Sequence, residues 1–243
     1  MIKNGIIIYQ EMMGIPVETD LIEPIGKRNV RTLKPMTPKG ITLHNTGNLD
    51  KTAGARQHGD YLQKLEEADE VYKSWHITVS HDRIVQHLPL TEQAYHAGDG
   101  DKGFGNASTI AIEITENAAY HLAESNGIYL VVALMCHYGF DKAQVQPHRR
   151  YSRERKLCPS RILHSQKTWE TDWEQFMDEK ILPLLKDNKD ETFMDLGAVP
   201  DWGKATVEKL VNKGYLKGKG ETLELSEDMV RLLVIHDRAG LYE

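Results

Sequence analysis

Residues 40–47 read Gly40-Ile-Thr-Leu-His-Asn-Thr-Gly47, and the apolar run in this stretch predicts a buried strand at the centre of the fold. The strand ends on His44, and the Asn-Thr-Gly that follows is typical of a turn. A histidine at the end of a buried strand, beside a turn, is a candidate for chemistry at the edge of a sheet.

A second apolar strand is predicted over residues 108–114, and a single carboxylate, Glu113, interrupts it. Burying an acid is costly unless it is paired or belongs to a functional site. Glu113 at an exposed strand end is the structural alternative, since acidic side chains are mostly exposed. The residues themselves leave both interpretations open.

A third stretch, residues 146–159, holds a histidine, a lysine and a cysteine at His148, Lys156 and Cys158. Imidazole and thiolate are ligand types that zinc favours, and three ligands from separated segments leave the fourth position of a catalytic site open. In an extended segment Lys156 and Cys158 would point the same way. The alternative is that Cys158 is a small buried hydrophobe.

The elements around these stretches alternate between strands and helices, which favours an α/β fold. The pattern predicts a helix over 53–70, a hairpin of 75–79 and 83–88, a loop over 94–107, a helix over 128–140 with Cys136 in the core, and a helix over 169–185.

Composition and charge limit the classes of function that the sequence favours. Lys and Arg total 30 against 36 Asp and Glu, and the net charge of −6 does not favour a nucleic-acid partner. Two cysteines cannot build a disulfide framework. Residues 6–9 are too short an apolar run for a signal-peptide core, and no stretch approaches a membrane span. We therefore expect synthesis in the cytoplasm without a signal peptide, and no membrane insertion.

The pattern predicts two domains, with residues 1–186 as the larger one and a polar linker at 187–191. Residues 192–243 read as a small helical domain: a helix over 200–210, a turn over 212–220 and a helix over 226–234 that Ser226 caps. Some fifty residues form a marginal core, so this domain could dock on its neighbour or make a homo-oligomer.

Five motifs in order carry a family resemblance. They are His44-Asn-Thr-Gly47, Ser74-Trp-His76, Tyr95-His96-Ala-Gly98, Gly105-Asn106 with Ile110-Ala-Ile-Glu113-Ile114, and His148 with Lys156-Leu-Cys158-Pro159. Residues 39–163 thereby resemble the zinc-dependent N-acetylmuramoyl-L-alanine amidases of phage endolysins, which are related to the peptidoglycan-recognition proteins. The resemblance implies an α/β fold, with a central mixed β-sheet flanked by helices and the small helical C-terminal domain beyond it.

The resemblance also implies roles for individual residues. His44, His148 and Cys158 correspond to the ligands of Zn²⁺, Glu113 to the catalytic carboxylate, and Lys156 to the cationic residue beside the metal. The bond cut would be the amide between muramic acid and L-alanine in bacterial peptidoglycan. The family positions of Asn45, Thr46, His76 and His96 make these four residues candidate substrate contacts, with a structural hydrogen bond as the alternative for His96. Some relatives have a tyrosine where this chain has Trp75, which argues against a tyrosine-based mechanism.

The C-terminal domain loosely resembles one S-layer-homology repeat, which implies attachment to a cell-wall polymer; a merely stabilising helical appendage is the alternative. Together these features favour a phage endolysin that reaches the wall after membrane permeabilisation and lyses the host. Two alternatives are a non-catalytic peptidoglycan-binding module and a bacterial autolysin or recycling amidase.

Overall fold

The computed structural model describes residues 2–12, 14–26, 28–68, 71–117, 119–187, 193, 195–217, 222–223, 225–238, 240 and 242. The chain divides into two compact units, Met1–Leu185 and Lys186–Glu243. Of the predicted linker at 187–191, only residue 187 lies within the described residues.

Strands and helices alternate along the larger unit. Within the described residues the strands are β1 (Ile2–Lys3), β2 (Ile6–Ile7), β3 (Glu11–Met12), β4 (Ile15–Thr19), β5 (Gly40–Asn45), β6 (Ile77–Val79), β7 (Ile84–Gln86), β8 (Thr109–Ile114) and β9 (Val145–Pro147). The helices are α1 (Ala55–Ala68), α2 (Phe104–Ser108), α3 (Tyr120–Tyr138), α4 (Trp169–Phe176), α5 (Leu182–Asp187), α6 (Asp201–Asn212) and α7 (Glu227–Arg238).

A seven-stranded mixed sheet forms the centre of this unit, in the order β3-β4-β7-β6-β8-β5-β9. The strands β6, β8, β5 and β9 run parallel to their neighbours in that order, and β6 pairs antiparallel with β7 as the predicted hairpin. Every residue of β5 is buried, as expected when both faces of a parallel strand are covered. The predicted mixed sheet flanked by helices is therefore confirmed.

Side-chain alternation along the strands separates the two faces of the sheet. On β8, Ile110, Ile112 and Ile114 belong to the large core that α3 and α4 complete. Ala111 belongs to a smaller core on the other face, together with Leu62 of α1. Because alternate side chains of a strand point to opposite faces, Glu113 shares the α1 face with Ala111.

Buried carboxylates hold the irregular segment between β4 and β5 to α1 and to the segment after β7. Glu66 of α1 accepts hydrogen bonds from the backbone N–H groups of Ile25, Val30 and Arg31. The Arg31 guanidinium in turn pairs with Glu92 at 2.9 Å, and both side chains are buried. These contacts satisfy the backbone groups that a segment without regular structure leaves unpaired.

Helix α3 begins at Tyr120, eight residues before the predicted start, and the reason is close packing. Ser, Asn and Gly over 125–127 have low helix propensity and obscured its first turns. A Cβ atom on Gly127 would lie 2.7 Å from Ile114, so the glycine allows the helix to approach β8. The prediction that Cys136 lies in the core was wrong, because Cys136 is on the exposed side of α3.

Two further predictions need adjustment. The predicted loop over 94–107 contains the start of the short helix α2. The predicted helix over 169–185 is interrupted by a π-helical turn at Met177–Ile181. Pro183 lies two residues beyond Ile181, and a proline cannot donate the usual α-helical hydrogen bond, so the helix adjusts just before it.

The smaller unit packs α6 against α7. Its core holds Val199, Val207, Leu210, Leu225, Val230 and Val234. Ser226 accepts a hydrogen bond from the Met229 N–H at 3.2 Å, which confirms the predicted cap of α7. The predicted turn over 212–220 lies within the described residues only as far as residue 217. Across both units, none of the described helices is long and apolar enough to span a bilayer.

Candidate active site

Three adjacent parallel strands deliver the candidate residues to one edge of the sheet. In the pairing of β5 with β8, His44 lies directly opposite Glu113. In the pairing of β5 with β9, Leu43 lies opposite Pro147, so His148 follows next to His44. In open α/β sheets this carboxyl edge is where ligands bind.

The third candidate ligand, Cys158, reaches this edge from the loop after β9. The Arg149 N–H donates to the Cys158 carbonyl at 2.9 Å and closes that loop. The Cys158 Sγ then lies 3.9 Å from His44 Nδ1, and the rings of His44 and His148 are 4.5 Å apart.

The geometry of this cluster fits a zinc ion. One ligand atom from each of His44, His148 and Cys158 lies within 4.8 Å of the others. Around a tetrahedral zinc ion with its usual bond lengths such atoms are about 3.3–3.7 Å apart. Small side-chain rotations would therefore bring two nitrogens and one sulfur, which are zinc's preferred donors, into coordination.

Burial sets the protonation of the cluster. Burial lowers the pKa of His44 well below its ordinary value. Burial and the nearby charge of Lys156 lower the pKa of His148 to about 4. Both imidazoles are therefore neutral at physiological pH and have a lone pair for a metal. Burial and the Glu113 charge raise the pKa of the Cys158 thiol. A divalent cation would reverse this, because a thiol that coordinates a metal is deprotonated.

Glu113 is buried beside the cluster rather than at an exposed strand end. Its side chain is 12% exposed, and Oε1 lies 3.7 Å from His44 Nδ1. Oε2 is buried and has no hydrogen-bond partner among the described residues. Burial raises the pKa of this carboxyl to about 8, against the opposing charge of Lys73. A desolvated carboxyl with an unpaired oxygen is suited to proton transfer.

His96 lies behind the cluster and contacts a candidate ligand. Its Nδ1 is 3.0 Å from His44 Nε2, and its Nε2 is 3.5 Å from Thr109 Oγ1. If His44 uses Nδ1 for a metal, its Nε2 carries the proton and donates it to His96. Such an outer partner fixes the tautomer and the ring orientation of a metal ligand. His96 thus makes the hydrogen bond that the sequence left as an alternative to a substrate contact.

The structure assigns His76 a different role from the predicted one. The ring is fully buried, with Nε2 at 2.8 Å from the Glu92 carbonyl and Nδ1 accepting from the Ala111 N–H at 2.9 Å. Both ring nitrogens are thus used by the backbone. The predicted substrate contact of His76 is corrected, because no polar atom of the ring is left for a substrate.

Asn45 and Thr46 follow His44 at the end of β5. Asn45 Oδ1 accepts from the Arg161 N–H at 2.9 Å, so its amide joins the strand end to the cysteine loop. Thr46 is a lining residue of the cleft, and its Oγ1 is buried without a hydrogen-bond partner among the described residues. Contact of Thr46 with substrate stays a prediction.

Lys156 lies on the rim of the same cleft. Its side chain is 61% exposed, and Nζ is 3.4 Å from the carboxylate of Glu154, whose side chain is 76% exposed. Ion pairs of this kind contribute little to stability. The ammonium is therefore free to turn toward the ligand cluster.

Two adjoining hollows make up the cleft. The metal-side hollow, of about 570 Å³, is lined by all three candidate ligands together with His96 and Lys156. The side hollow, of about 380 Å³, lies between α1 and the end of β5 and is lined by Gln57, His58 and Tyr61. Thr46, Gly47, Lys73, Trp75 and Glu113 line both hollows.

The sequence did not identify Lys73 or the α1 residues as part of the site. The available signal was the position of Lys73 immediately before the Ser74-Trp-His76 motif. The contribution of α1 depends on packing across the sheet, which no local pattern reveals.

Solved structures show the class of protein to which this architecture belongs. The catalytic domain of XlyA is 38% identical to this chain and superposes with a TM-score of 0.57, covering 66% of this chain and 98% of that domain. The PlyG catalytic domain is 29% identical, with a TM-score of 0.55, covering 69% of this chain and 96% of that domain. The larger unit thus has the fold of these two catalytic domains.

Family membership follows from the sequence match. Residues 34–161, more than half of the chain, match the N-acetylmuramoyl-L-alanine amidase family, and the chain belongs to that family. It is 41% identical over 150 residues to the amidase XlyA of Bacillus subtilis strain 168, covering 61% of this chain and 47% of XlyA. It is 38% identical over 151 residues to the amidase CwlH of the same strain, covering 61% of this chain and 57% of CwlH. The match thus spans about half the length of these curated relatives.

Proposed function

We propose that this protein is a zinc-dependent endolysin that hydrolyses the amide bond between N-acetylmuramic acid and L-alanine in bacterial peptidoglycan. The observation that carries the proposal is the gathering of two neutral imidazoles, a thiol and a buried carboxylate at one edge of the sheet. Family membership supplies the substrate class.

His44, His148 and Cys158 would hold the zinc ion, and a site with three protein ligands would leave room for water or substrate on the metal. Zinc bound there supplies Lewis-acid polarisation of the amide carbonyl and lowers the pKa of a water molecule. Glu113 accepts the proton of the attacking water and transfers it to the leaving amine of L-alanine. Its place beside His44 Nδ1, at 3.7 Å, suits this transfer.

Lys156 stabilises the oxyanion that develops on the amide oxygen. Trp75 takes no part in proton transfer, since its indole N–H donates to Thr78 Oγ1 at 2.7 Å within the core. Glu113 and Lys156 therefore carry the acid–base and electrostatic work without help from a phenol.

The proposal is tested with the full chain on purified peptidoglycan. We expect new L-alanine amino termini by mass spectrometry, loss of activity on exhaustive chelation, and recovery on addition of zinc. Reducing sugar ends, amines from other residues, or activity that survives metal removal would contradict the proposal. Wall binding with no release of amines would instead identify a binding module.

For the smaller unit we propose binding to a cell-wall polymer, which would hold the enzyme at the wall once the membrane is permeabilised. The loose likeness of residues 192–243 to an S-layer-homology repeat supports this. The full chain should sediment with intact walls and fail to sediment with walls stripped of their secondary polymers. Equal sedimentation with both would contradict the proposal. Analytical ultracentrifugation would test homo-oligomer formation through the same unit.

A further inference from the structure

Lys73 places a positive charge at the boundary between the two hollows. Its Nζ lies 5.3 Å from the ring centroid of Tyr61 and 5.9 Å from that of Trp75. The side chain is exposed and forms no ion pair within the described parts of the chain. Its charge reaches Glu113, where it opposes the rise in pKa that burial causes. The ammonium therefore lies over two aromatic rings beside the candidate general base, and no carboxylate of the described residues lies within ion-pair distance of it.

The position of Glu113 fixes which part of the substrate enters the side hollow. Glu113 lines both hollows, whereas none of the three candidate ligands is among the residues lining the side hollow. The carbonyl side of the scissile amide must face the ligands, and the leaving amine must face the proton donor. The portion of the substrate attached to that amine, which is the peptide, therefore extends past Glu113 into the side hollow.

The lining of the side hollow favours an anionic group over a sugar ring. Lys73 lies over the rings of Tyr61 and Trp75, and Trp75 is only 3% exposed. The open aromatic surface in the hollow is therefore mainly that of Tyr61, which is 41% exposed and already has the ammonium over its ring. Asn48, Gln57 and His58 line the hollow with polar side chains that are not acidic. Among the lining residues Lys73 is the one lysine or arginine, and Glu113, the one carboxylate, is assigned to the reaction. An ammonium with no acidic partner is suited to a carboxylate.

We propose that the side hollow binds the peptide portion of the substrate and that Lys73 pairs with a carboxylate on the residue following L-alanine. This inference rests on the proposed function, since it takes the leaving group to be a peptide. Lys73 then determines specificity: it distinguishes a stem peptide with a free carboxylate at that residue from one with a carboxamide there.

The test uses the zinc-loaded full chain and two synthetic muramoyl peptides that differ only in carboxylate or carboxamide at that residue. The wild type should prefer the carboxylate about tenfold in kcat/KM, mainly through KM, as expected for one charge-assisted contact. Lys73→Met should reduce the preference to less than about twofold, and Lys73→Arg should keep most of it. Lys64→Met removes an exposed lysine from α1, away from both hollows, and should leave the preference unchanged.

Three outcomes would overturn the inference. The wild type could hydrolyse both peptides equally well, or Lys73→Met could keep the full preference for the carboxylate peptide. Lys73→Met could also lower kcat on both peptides and leave the ratio of their KM values unchanged. The last result would assign Lys73 to the chemical step. A wild type that hydrolyses neither peptide would refute the proposed function itself, which separates the two failures.

Discussion

Replacing His96 with phenylalanine should weaken zinc binding without removing a ligand. His44 Nε2 and His96 Nδ1 are 3.0 Å apart, and His44 is almost completely buried. In the metal-bound protein His44 would keep its proton on Nε2, because Nδ1, which lies 3.9 Å from Cys158 Sγ, is the nitrogen placed to bind the ion. Phenylalanine fills the same space and removes the acceptor of that proton.

The cost of this change falls on the zinc-bound state. Without metal, His44 can move its proton to Nδ1, where Cys158 Sγ at 3.9 Å can accept it. With metal bound it cannot, and a buried donor without an acceptor costs about 1–3 kcal/mol. Zinc affinity should therefore fall about 10- to 100-fold, the range seen when outer partners of metal ligands are removed.

The assay is competition for zinc with a chromophoric chelator, with thermal unfolding of the metal-free proteins as a check on folding. His96→Asn is the matched control, since its Oδ1 can occupy the position of the histidine Nδ1, and it should recover most of the affinity. If His96→Phe binds zinc within twofold of the wild type, the hydrogen bond does not set the tautomer of His44 and the reasoning is refuted.

Three further predictions follow from the structure. Glu113→Gln should keep its zinc and lose about 10²- to 10⁴-fold in kcat, measured by single-turnover amine release, because the general base is gone; a loss below tenfold would contradict that role. Burial lowers the pKa of His76 to about 4, below its unfolded value of about 6.5, so its stabilising contribution is complete above pH 6.5 and falls by about 3 kcal/mol as pH drops toward 4. Urea unfolding at pH 7.5 and 4.5, with ring titration by NMR, would detect this, and a ring that titrates near 6.5 would contradict it. Gly203→Ala would put a Cβ atom 2.2 Å from Val230 and should destabilise the smaller unit by about 1–3 kcal/mol. Hydrogen exchange of the α6 amides would measure this loss, and unchanged protection would show that the helices do not pack closely at Gly203.

The sequence pattern correctly predicted the elements whose signals lie within a few residues of the chain. The apolar runs at residues 40–44 and 108–114 became β5 and β8, and Ser226 marked the start of α7. These signals depend on burial period and on capping, which act within a few residues. The start of α3 was misplaced because Gly127 disfavours a helix locally and is required by its contact with Ile114.

The candidate zinc ligands could be predicted from the sequence because zinc binds few types of side chain. His76 shows the limit of that reasoning. Its ring nitrogens bind backbone groups of Glu92 and Ala111, and nothing in a motif reveals that these groups lie within 3 Å. Lys73 was missed for the same reason, since its position over Tyr61 depends on how α1 packs across the sheet.

The register of β5 against β8 links the core to the site. Ile112 and Ile114 fill the core on the α3 face, and the alternation of the strand then turns Glu113 to the opposite face, directly across from His44. A slip of one residue would expose the isoleucines and move the carboxylate away from the histidine in the same step. The apolar residues that stabilise the sheet therefore also fix the distance between Glu113 and His44. Burying the Glu113 carboxyl costs free energy. The strand tolerates this cost because the packing of the neighbouring isoleucines leaves it no alternative register.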